Sequence, residues 1–392
     1  MGEGVYMSNS ATKELAFTHA VLEGTSYEVG YLQGAAIKDY PQAVEFFTSG
    51  EGLFSDLEFA GVIDLFDDFC PGLNEEIEGF ADCLDVSPEQ AIYYASTYLK
   101  AGPSPEESGN CSHMAVLPSI SENEHVLVGR SYEFSDRIDD LRLCTTRIKG
   151  KADHIGFSTF FFGRSEGMNE HGLSTTMSSA RVPVGVGEGM QPLPQSGFQS
   201  WAVLRAVLDY CKNVEEALAL MDEMPLCCNL NLIVADRRGK AALIEISGTE
   251  KAVKLLDASS EEQFLCSTNH LTIPSMVPHI PYAMKNSALR QEILESSLQE
   301  ASPEIGPGTL SRIFTQKYPD GVCCSYYDEF FGTLRSLIFD LTTGETRICF
   351  GPPALNKWNI FNLENPSTSG VYQAKIVKEK AEPDFWKIVA LD

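Results

Sequence analysis

The first hundred residues carry apolar positions at helical spacing. Ile77, Phe80, Ala81 and Leu84 fall on one face of a helix predicted over residues 74–84. Ser87-Pro88-Glu89-Gln90 follows as a helix start, with proline in the first turn. Further upstream, Ser26-Tyr27-Glu28-Val29-Gly30-Tyr31-Leu32-Gln33-Gly34 opens like a capped helix whose small residues allow close packing. Residues 12–100 therefore read mainly as helix. Then Ala101-Gly102-Pro103-Ser104-Pro105-Glu106-Glu107-Ser108-Gly109-Asn110 breaks the pattern with two prolines, two glycines and almost no apolar content. It is the clearest linker in the chain.

Beyond the linker the period changes from helical to alternating. Residues 111–117 and 125–132 read as two strands joined by the polar turn Ser121-Glu122-Asn123-Glu124. Further strands are predicted at 141–148, 155–162, 172–177, 230–235, 241–246, 264–268, 334–339 and 345–350, and helices at 199–211, 214–221 and 286–298. Strands come in runs with helices between the runs, which points to antiparallel sheets covered by helices, a layered α+β arrangement rather than alternating βαβ units. The division that follows is 1–110, a helical N-terminal segment ending in the linker, and 111–392, a strand-rich domain.

Charge sharpens that division. Of the net −26, the first 110 residues hold 20 Asp and Glu against 3 Lys and Arg. An acidic chain lacks the basic face that nucleic acid requires, and the acidic helices read as a solvated surface. No apolar run is long enough to span a membrane. The opening Met1-Gly2-Glu3-Gly4-Val5-Tyr6 has no basic n-region, so a cytoplasmic protein is expected. Eleven cysteines include no C-x-x-C, and the seven histidines lack i, i+4 pairing, so neither a metal nor an organic cofactor is expected. No G-x-S-x-G elbow, Walker loop or H-E-x-x-H is present, and Gly185-Val186-Gly187-Glu188-Gly189 reads as a loop.

Ten of the cysteines read as structural. Cys111 differs because it stands where the linker meets the first strand. If the Asn110–Cys111 bond is cut, Cys111 gains an α-amine that titrates at about 7.7–8.0. Nucleophile and base then come from one residue. Arg130, near the end of the strand expected to pair with the Cys111 strand, can place positive charge beside the sulfur. Glu133, three residues on, offers a carboxylate to the new ammonium, although spacing alone favours an exposed arginine and glutamate at a strand end. Asn169 reads first as a turn residue, His113 as a strand histidine with local partners, and His270 as pointing away from Asn269.

Asn110-Cys111-Ser112, Gly129-Arg130-Ser131-Tyr132-Glu133, Gly167-Met168-Asn169-Glu170-His171-Gly172-Leu173, Ser267-Thr268-Asn269-His270, Asn286-Ser287-Ala288-Leu289-Arg290 and Gly332-Thr333-Leu334-Arg335-Ser336 occur in that order. The ordered set resembles the choloylglycine hydrolase and acyl-coenzyme A:6-aminopenicillanate acyltransferase group of N-terminal-nucleophile hydrolases, over nearly the whole chain. Gly24-Thr25-Ser26-Tyr27-Glu28-Val29-Gly30 resembles the acyltransferase branch, whose precursors carry a helical N-terminal segment.

The resemblance implies a four-layer αββα sandwich, cleavage between Asn110 and Cys111, and a Cys111 nucleophile with its α-amine as base. It places Arg130 beside the sulfur, Glu133 on the amine, Asn269 as a donor to the oxyanion, and Arg290 in the polar floor. Ser179 and Asn169 are its candidate substrate-binding positions. This chain departs from the usual pattern with Ser131 for Asn, Glu133 for Asp, Ser179 for Asn and Asn110 for Gly. A small-molecule acyl amide is the expected substrate, with loops 181–198 and 272–282 read as mobile, apolar segments suited to an acyl chain or aromatic acyl group. A bile-salt or penicillin V type of amidase is the narrower alternative, and a non-catalytic binding protein on the same scaffold is the alternative of another class. A homo-oligomer is left open.

Overall fold

The computed structural model describes residues 12–48, 56–91, 110–137, 139–180, 197–226, 228–364 and 368–391. The linker 101–109, the glycine-rich stretch 185–189 and most of the loop 181–198 lie outside them.

Two sheets form the centre. The larger runs in the order Glu250–Leu256, Lys240–Gly248, Cys228–Asp236, Leu173–Ser179, Glu166–Asn169, His154–Thr159, Arg142–Ile148, Thr12–Gly24 and Gly370–Val377, with Gly163–Arg164 paired to His154–Thr159. The smaller runs Phe264–Ser267, Asn110–Val116, Leu127–Phe134, Phe331–Asp340, Glu345–Phe350 and Trp358–Asn362, with Ser325–Tyr326 paired to Phe331–Asp340. Pairing between these strands is antiparallel except where Thr12–Gly24 runs parallel to Arg142–Ile148.

Helices flanking the sheets among the described residues are α1 Ser26–Ile37, α2 Pro41–Thr48, α3 Asp56–Phe69, α4 Leu73–Leu84, α5 Ser200–Tyr210, α6 Val214–Glu223, α7 Lys285–Ala301 and α8 Pro307–Thr315, and residues 88–91 are also helical.

Strand alternation assigns each face to a layer. Leu15, Ala115, Val128, Phe157, Ile233, Leu243, Leu337 and Ile348 fill the space between the two sheets. Leu230, Leu232, Val234, Ala242 and Ile244 face outward from the larger sheet and pack with Ile77, Phe80, Trp201 and Val207 from α4 and α5. On the far side Met114, Val116, Leu127 and Ile338 pack with Leu294, Leu298, Leu310 and Phe314 from α7 and α8. Helix, sheet, sheet and helix thus succeed one another, the expected αββα order.

The N-terminal segment departs from its helical reading at one end. Thr12–Gly24 is a strand, with Leu15, Phe17 and His19 buried between exposed neighbours. Its partners, Arg142–Ile148 and Gly370–Val377, lie far along the chain, so no local signal of a hairpin marked it. Segments before and after Cys111 therefore share one sheet. The strand expected over 155–162 ends at Thr159, because Phe160 and Phe161 turn at φ 54° and 63°.

Helices α1 and α4 lie unusually close. Helix α1 starts with a capping box, in which the Thr25 hydroxyl accepts from Glu28 N while the Glu28 carboxylate accepts from Thr25 N. A methyl group at Gly30 would fall on the Glu76 carbonyl, and one at Gly79 on the Tyr27 carbonyl. From this packed pair Glu76 reaches Arg205 of α5 at 2.8 Å, and Arg205 also binds Asp209 at 2.9 Å. Gln33 of α1 donates to the Glu76 carboxylate at 2.6 Å. The buried pair ties the N-terminal helices to the rest of the chain.

Since the obstacle at Gly30 is backbone rather than a mobile side chain, Gly30→Ala should force the helices apart. The expected loss is about 1–3 kcal/mol in urea unfolding, and an unchanged midpoint would refute the close contact.

Candidate active site

The Cys111 strand pairs with Leu127–Phe134 so that Cys111 stands opposite Tyr132, His113 opposite Arg130 and Asn110 opposite Glu133. Alternation then separates two sets of side chains. Cys111, His113, Arg130 and Tyr132 face the inter-sheet space with Ala115 and Val128. Ser112, Ser131 and Glu133 face the α7 layer with Met114 and Leu127.

On the inter-sheet face, Arg130 Nη2 lies 3.1 Å from Cys111 Sγ. Its Nη1 donates to the Ser165 carbonyl at 2.8 Å and pairs with the Glu166 carboxylate from the larger sheet. Arg335 donates to the other Glu166 oxygen at 2.7 Å, pairs with Asp139 at 3.3 Å and lies 3.9 Å over the Tyr132 ring. One buried carboxylate is therefore shared by two guanidiniums. Sequence reasoning did not single out Glu166 or Arg335 as site residues, although Arg335 stands in the last ordered motif and Glu166 immediately precedes another.

His113 is buried against Thr176 Oγ1 at 2.8 Å and Ser178 Oγ at 3.2 Å. Burial, and then Arg130, hold its pKa well below the ordinary value, so the ring is neutral. His270 contacts Thr268 and Ser287, and burial brings its pKa down to about 4. No hydrogen bond or ion pair joins either ring to the Cys111 sulfur.

The Cys111 backbone is held from the other side. Cys111 N donates to Asn269 Oδ1 at 3.1 Å. Arg290 Nη1 donates to the Cys111 carbonyl at 2.7 Å and to Ser112 Oγ at 2.8 Å, while Nη2 donates to Asn269 Oδ1 at 2.8 Å. Two donors on Oδ1 fix the amide orientation, which leaves Asn269 Nδ2 on the Ser179 carbonyl at 2.9 Å. Asn269 is itself pinned from both sheets' surroundings. Its N–H donates to Ser287 Oγ at 2.8 Å, and Asn231 Nδ2 donates to the flanking Thr268 and His270 carbonyls. Ser179 is thus beside Asn269, meeting it through its backbone carbonyl and, at 3.5 Å, its hydroxyl.

Glu133 is fully buried on the α7 face. Its Oε1 accepts from Ser131 and, at 3.1 Å, from Thr333, while Oε2 has no partner. The Cys111 amide is bound to Asn269 rather than to Glu133. Burial pushes the Glu133 carboxyl up to about 7, against the pull of the Arg290 guanidinium and of the Ser131 and Thr333 hydroxyls.

Asn169 is not brought to this site. Its Nδ2 donates to the Leu208 and Cys211 carbonyls, and its Oδ1 accepts from His171 N and Leu173 N. All of its capacity goes to a turn and to the end of α5. The segment 272–282, read from sequence as mobile, is tied down in its first residues. The Glu245 carboxylate accepts from Thr272 N, Thr272 Oγ1 and Ile273 N at 2.7–3.0 Å. The ten described cysteines are all buried and free of disulfides, and no cluster of three metal-ligating side chains occurs among the described residues. No described helix is long and apolar enough to cross a membrane.

A family model described as acyl-coenzyme A:6-aminopenicillanic acid acyl-transferase matches residues 120–355, more than half of the chain. The chain belongs to this acyltransferase family. The match takes in Arg130, Glu133, Asn269 and Arg290 and begins after Cys111. An uncharacterized protein of Archaeoglobus fulgidus is 21% identical over 394 residues, covering 87% of this family member and 63% of that protein. The chain therefore spans less than two thirds of the length of this curated relative. Penicillin V acylase from Agrobacterium tumefaciens overlays with a TM-score of 0.44 and 15% identity, covering 65% of this chain and 86% of that one. A point mutant of conjugated bile acid hydrolase from Clostridium perfringens gives 0.43 and 12%, covering 67% and 96%. The Caenorhabditis elegans N-acylethanolamine-hydrolyzing acid amidase ortholog gives 0.40 and 14%, covering 59% and 93%.

Glu133 carries a pH signature. A carboxyl that ionises near pH 7 in the folded chain, but near 4.3 in an unfolded one, keeps its proton longer in the native state. Its stabilising contribution is complete below the unfolded value and is lost as pH rises through 7. Glu133→Gln removes that titration. In a Cys111→Ala background, urea unfolding across this window should show the chain with Glu133 losing stability relative to the one with Glu133→Gln as pH rises, and parallel curves would contradict the buried, protonated carboxyl.

Proposed function

We propose that the chain cuts itself between Asn110 and Cys111 and then acts as a cysteine N-terminal-nucleophile hydrolase or acyltransferase on a linear amide. The observation that carries this reading is the double hold on Cys111. A guanidinium donor meets its sulfur, while its amide and carbonyl are fixed by Asn269 and Arg290.

Self-cleavage begins when Cys111 Sγ adds to the Asn110 carbonyl carbon. The C–N bond then breaks, Cys111 N takes the thiol proton and Asn110 is left as a thioester on sulfur. Water hydrolyses the thioester, which frees the Asn110 carboxylate and restores the thiol. The freed α-amine next serves as base. It takes the thiol proton as sulfur attacks the substrate carbonyl, and it returns the proton to the departing amine.

Negative charge on the sulfur is met by Arg130, and charge on the carbonyl oxygen by the second hydrogen of Asn269 Nδ2, the first being on the Ser179 carbonyl. One such donor is worth about 3 kcal/mol in the transition state. Arg290 keeps Asn269 Oδ1 engaged so that Nδ2 stays turned toward the Ser179 side. Glu133 receives the new ammonium once the amide has become an amine, its partnerless Oε2 being the available acceptor. The acyl-enzyme then passes its acyl group to water in a hydrolase, or to an amine in an acyltransferase.

The N-terminal segment remains attached after cleavage in this scheme. Strand Thr12–Gly24 is hydrogen-bonded into the larger sheet, and Glu76 is paired with Arg205.

Intact-mass measurement of wild type and Cys111→Ala tests the proposal. Wild type should yield fragments ending at residue 110 and beginning at 111 that co-elute without denaturant, and Cys111→Ala a single chain. A wild-type chain that stays whole after prolonged incubation would overturn self-processing.

A further inference from the structure

Residues 378–391 lie as a strap across the end of the smaller sheet and the start of α7. Lys378 pairs with Asp136 at 3.2 Å and with Asp328 at 2.8 Å. Glu329 accepts from Ala381 N and from Trp386 Nε1, each at 2.9 Å. Lys285 N, at the first turn of α7, donates to the Lys387 carbonyl at 2.7 Å, and Ile388–Ala390 forms a two-stranded sheet with Tyr282–Met284. Nothing in the sequence motifs drew attention to this tail.

Two routes lead from Phe385 of the strap to Arg290. Through the main chain, the Phe385 carbonyl accepts from Asn286 Nδ2 at 2.9 Å, and Asn286 Oδ1 accepts from Arg290 Nη2 at 3.0 Å. Through the side chain, the buried Phe385 ring meets Phe331 edge-on at 4.7 Å, and Arg290 lies 5.2 Å over that same Phe331 ring. Tyr318, Tyr326 and Trp386 surround Phe385 at 4.8–5.0 Å and leave it a single seat. Arg290 in turn holds the Cys111 carbonyl and Asn269 Oδ1.

We infer that Asn286 and Phe385 are positioning residues, through which the C-terminal strap sets the Arg290 guanidinium against Cys111 and Asn269. The inference rests on the reading of Cys111 as nucleophile. Its physical basis is that an arginine side chain is long and must be fixed at several points to aim two donors at once. A displacement of about 1 Å at such a group can cost about a hundredfold in rate. Arg290 has three targets, the Cys111 carbonyl, Ser112 Oγ and Asn269 Oδ1, and two supports, and both supports converge on one strap residue. The charged groups bearing on Cys111 from the packed elements are Arg130 and, behind it, Glu166 and Arg335, with Arg290 and Glu133 on the α7 side.

The test uses full-length Phe385→Ala and Asn286→Ala, with Ile388→Ser, an exposed strap position, as control. Two rates are measured on each: the first-order appearance of the fragment beginning at Cys111, and alkylation of Cys111 by iodoacetamide across a pH series, read by peptide mass. Both alanine variants should lose about tenfold in each, with the alkylation profile displaced to higher pH because the Arg290 charge is no longer fixed nearby. Melting curves define the folded fraction, and Ile388→Ser should match wild type. Wild-type rates and profile in either alanine variant, or losses that merely track the unfolded fraction, would overturn the inference. If wild type stays uncut yet is alkylated, self-cleavage fails while the alkylation rates still decide the strap. Wild-type Cys111 that resists iodoacetamide altogether overturns both.

Discussion

A single buried carboxylate, Glu166, reaches across the space between the two sheets and is shared by Arg130 and Arg335. Ions placed there have left water at a cost of several kcal/mol each, and their mutual attraction offsets that cost only if the geometry is kept. Removing one member strands a buried charge, which costs about 3–5 kcal/mol. The constraint fixes the spacing and register of the sheets at one place, and Cys111 sits at that place. Its sulfur is 3.1 Å from the Arg130 donor that Glu166 leaves over.

Everything else around Cys111 is arranged relative to that bridge. The strand that carries Cys111 can expose alternate residues to two different environments. Sulfur therefore faces the inter-sheet charges, while Glu133 and Ser112 face α7. Arg290 enters from the α7 side and takes the Cys111 carbonyl. Cys111 is thus approached by one arginine at its side chain and another at its main chain. Asn269 joins the two sides, because its Oδ1 is bound by the Cys111 amide and by Arg290 together.

The chain ends serve the same centre. Asp136, just beyond the Arg130 strand, is paired with Lys13 of the first strand at 2.6 Å and with Lys378 of the strap at 3.2 Å. The family match spans residues 120–355, so Lys13 and Lys378 lie outside it while Asp136 lies within it. The acidic N-terminal helices are likewise anchored by charge, with Glu76 buried against Arg205 while most of the other carboxylates remain in solvent.

Much of this was legible from residues alone. The switch from helical to alternating spacing after Asn110 and the hairpin that pairs the Cys111 and Arg130 strands follow from local pattern, since each depends on neighbours within a strand or one hairpin, while the place of Arg130 beside the sulfur is what the family resemblance implied. Asn269 and Arg290 were legible as motif residues, but not their joint grip on the Cys111 backbone. Asn169, by contrast, belongs to a motif and still turns away from the site, because its amide is consumed by the end of α5. Thr12–Gly24 escaped notice because its pairing partners are more than a hundred residues distant. Glu166, Asn286 and Phe385 share that limitation: their roles arise from contacts between layers, and a one-dimensional pattern records only which face a residue occupies. The sequence by itself determined the layered α+β arrangement and the pairing of the strands that carry Cys111 and Arg130. Only the tertiary structure decided which distant carboxylate, carbonyl and ring hold them, because burial and charge pairing are settled where strands from opposite ends of the chain meet.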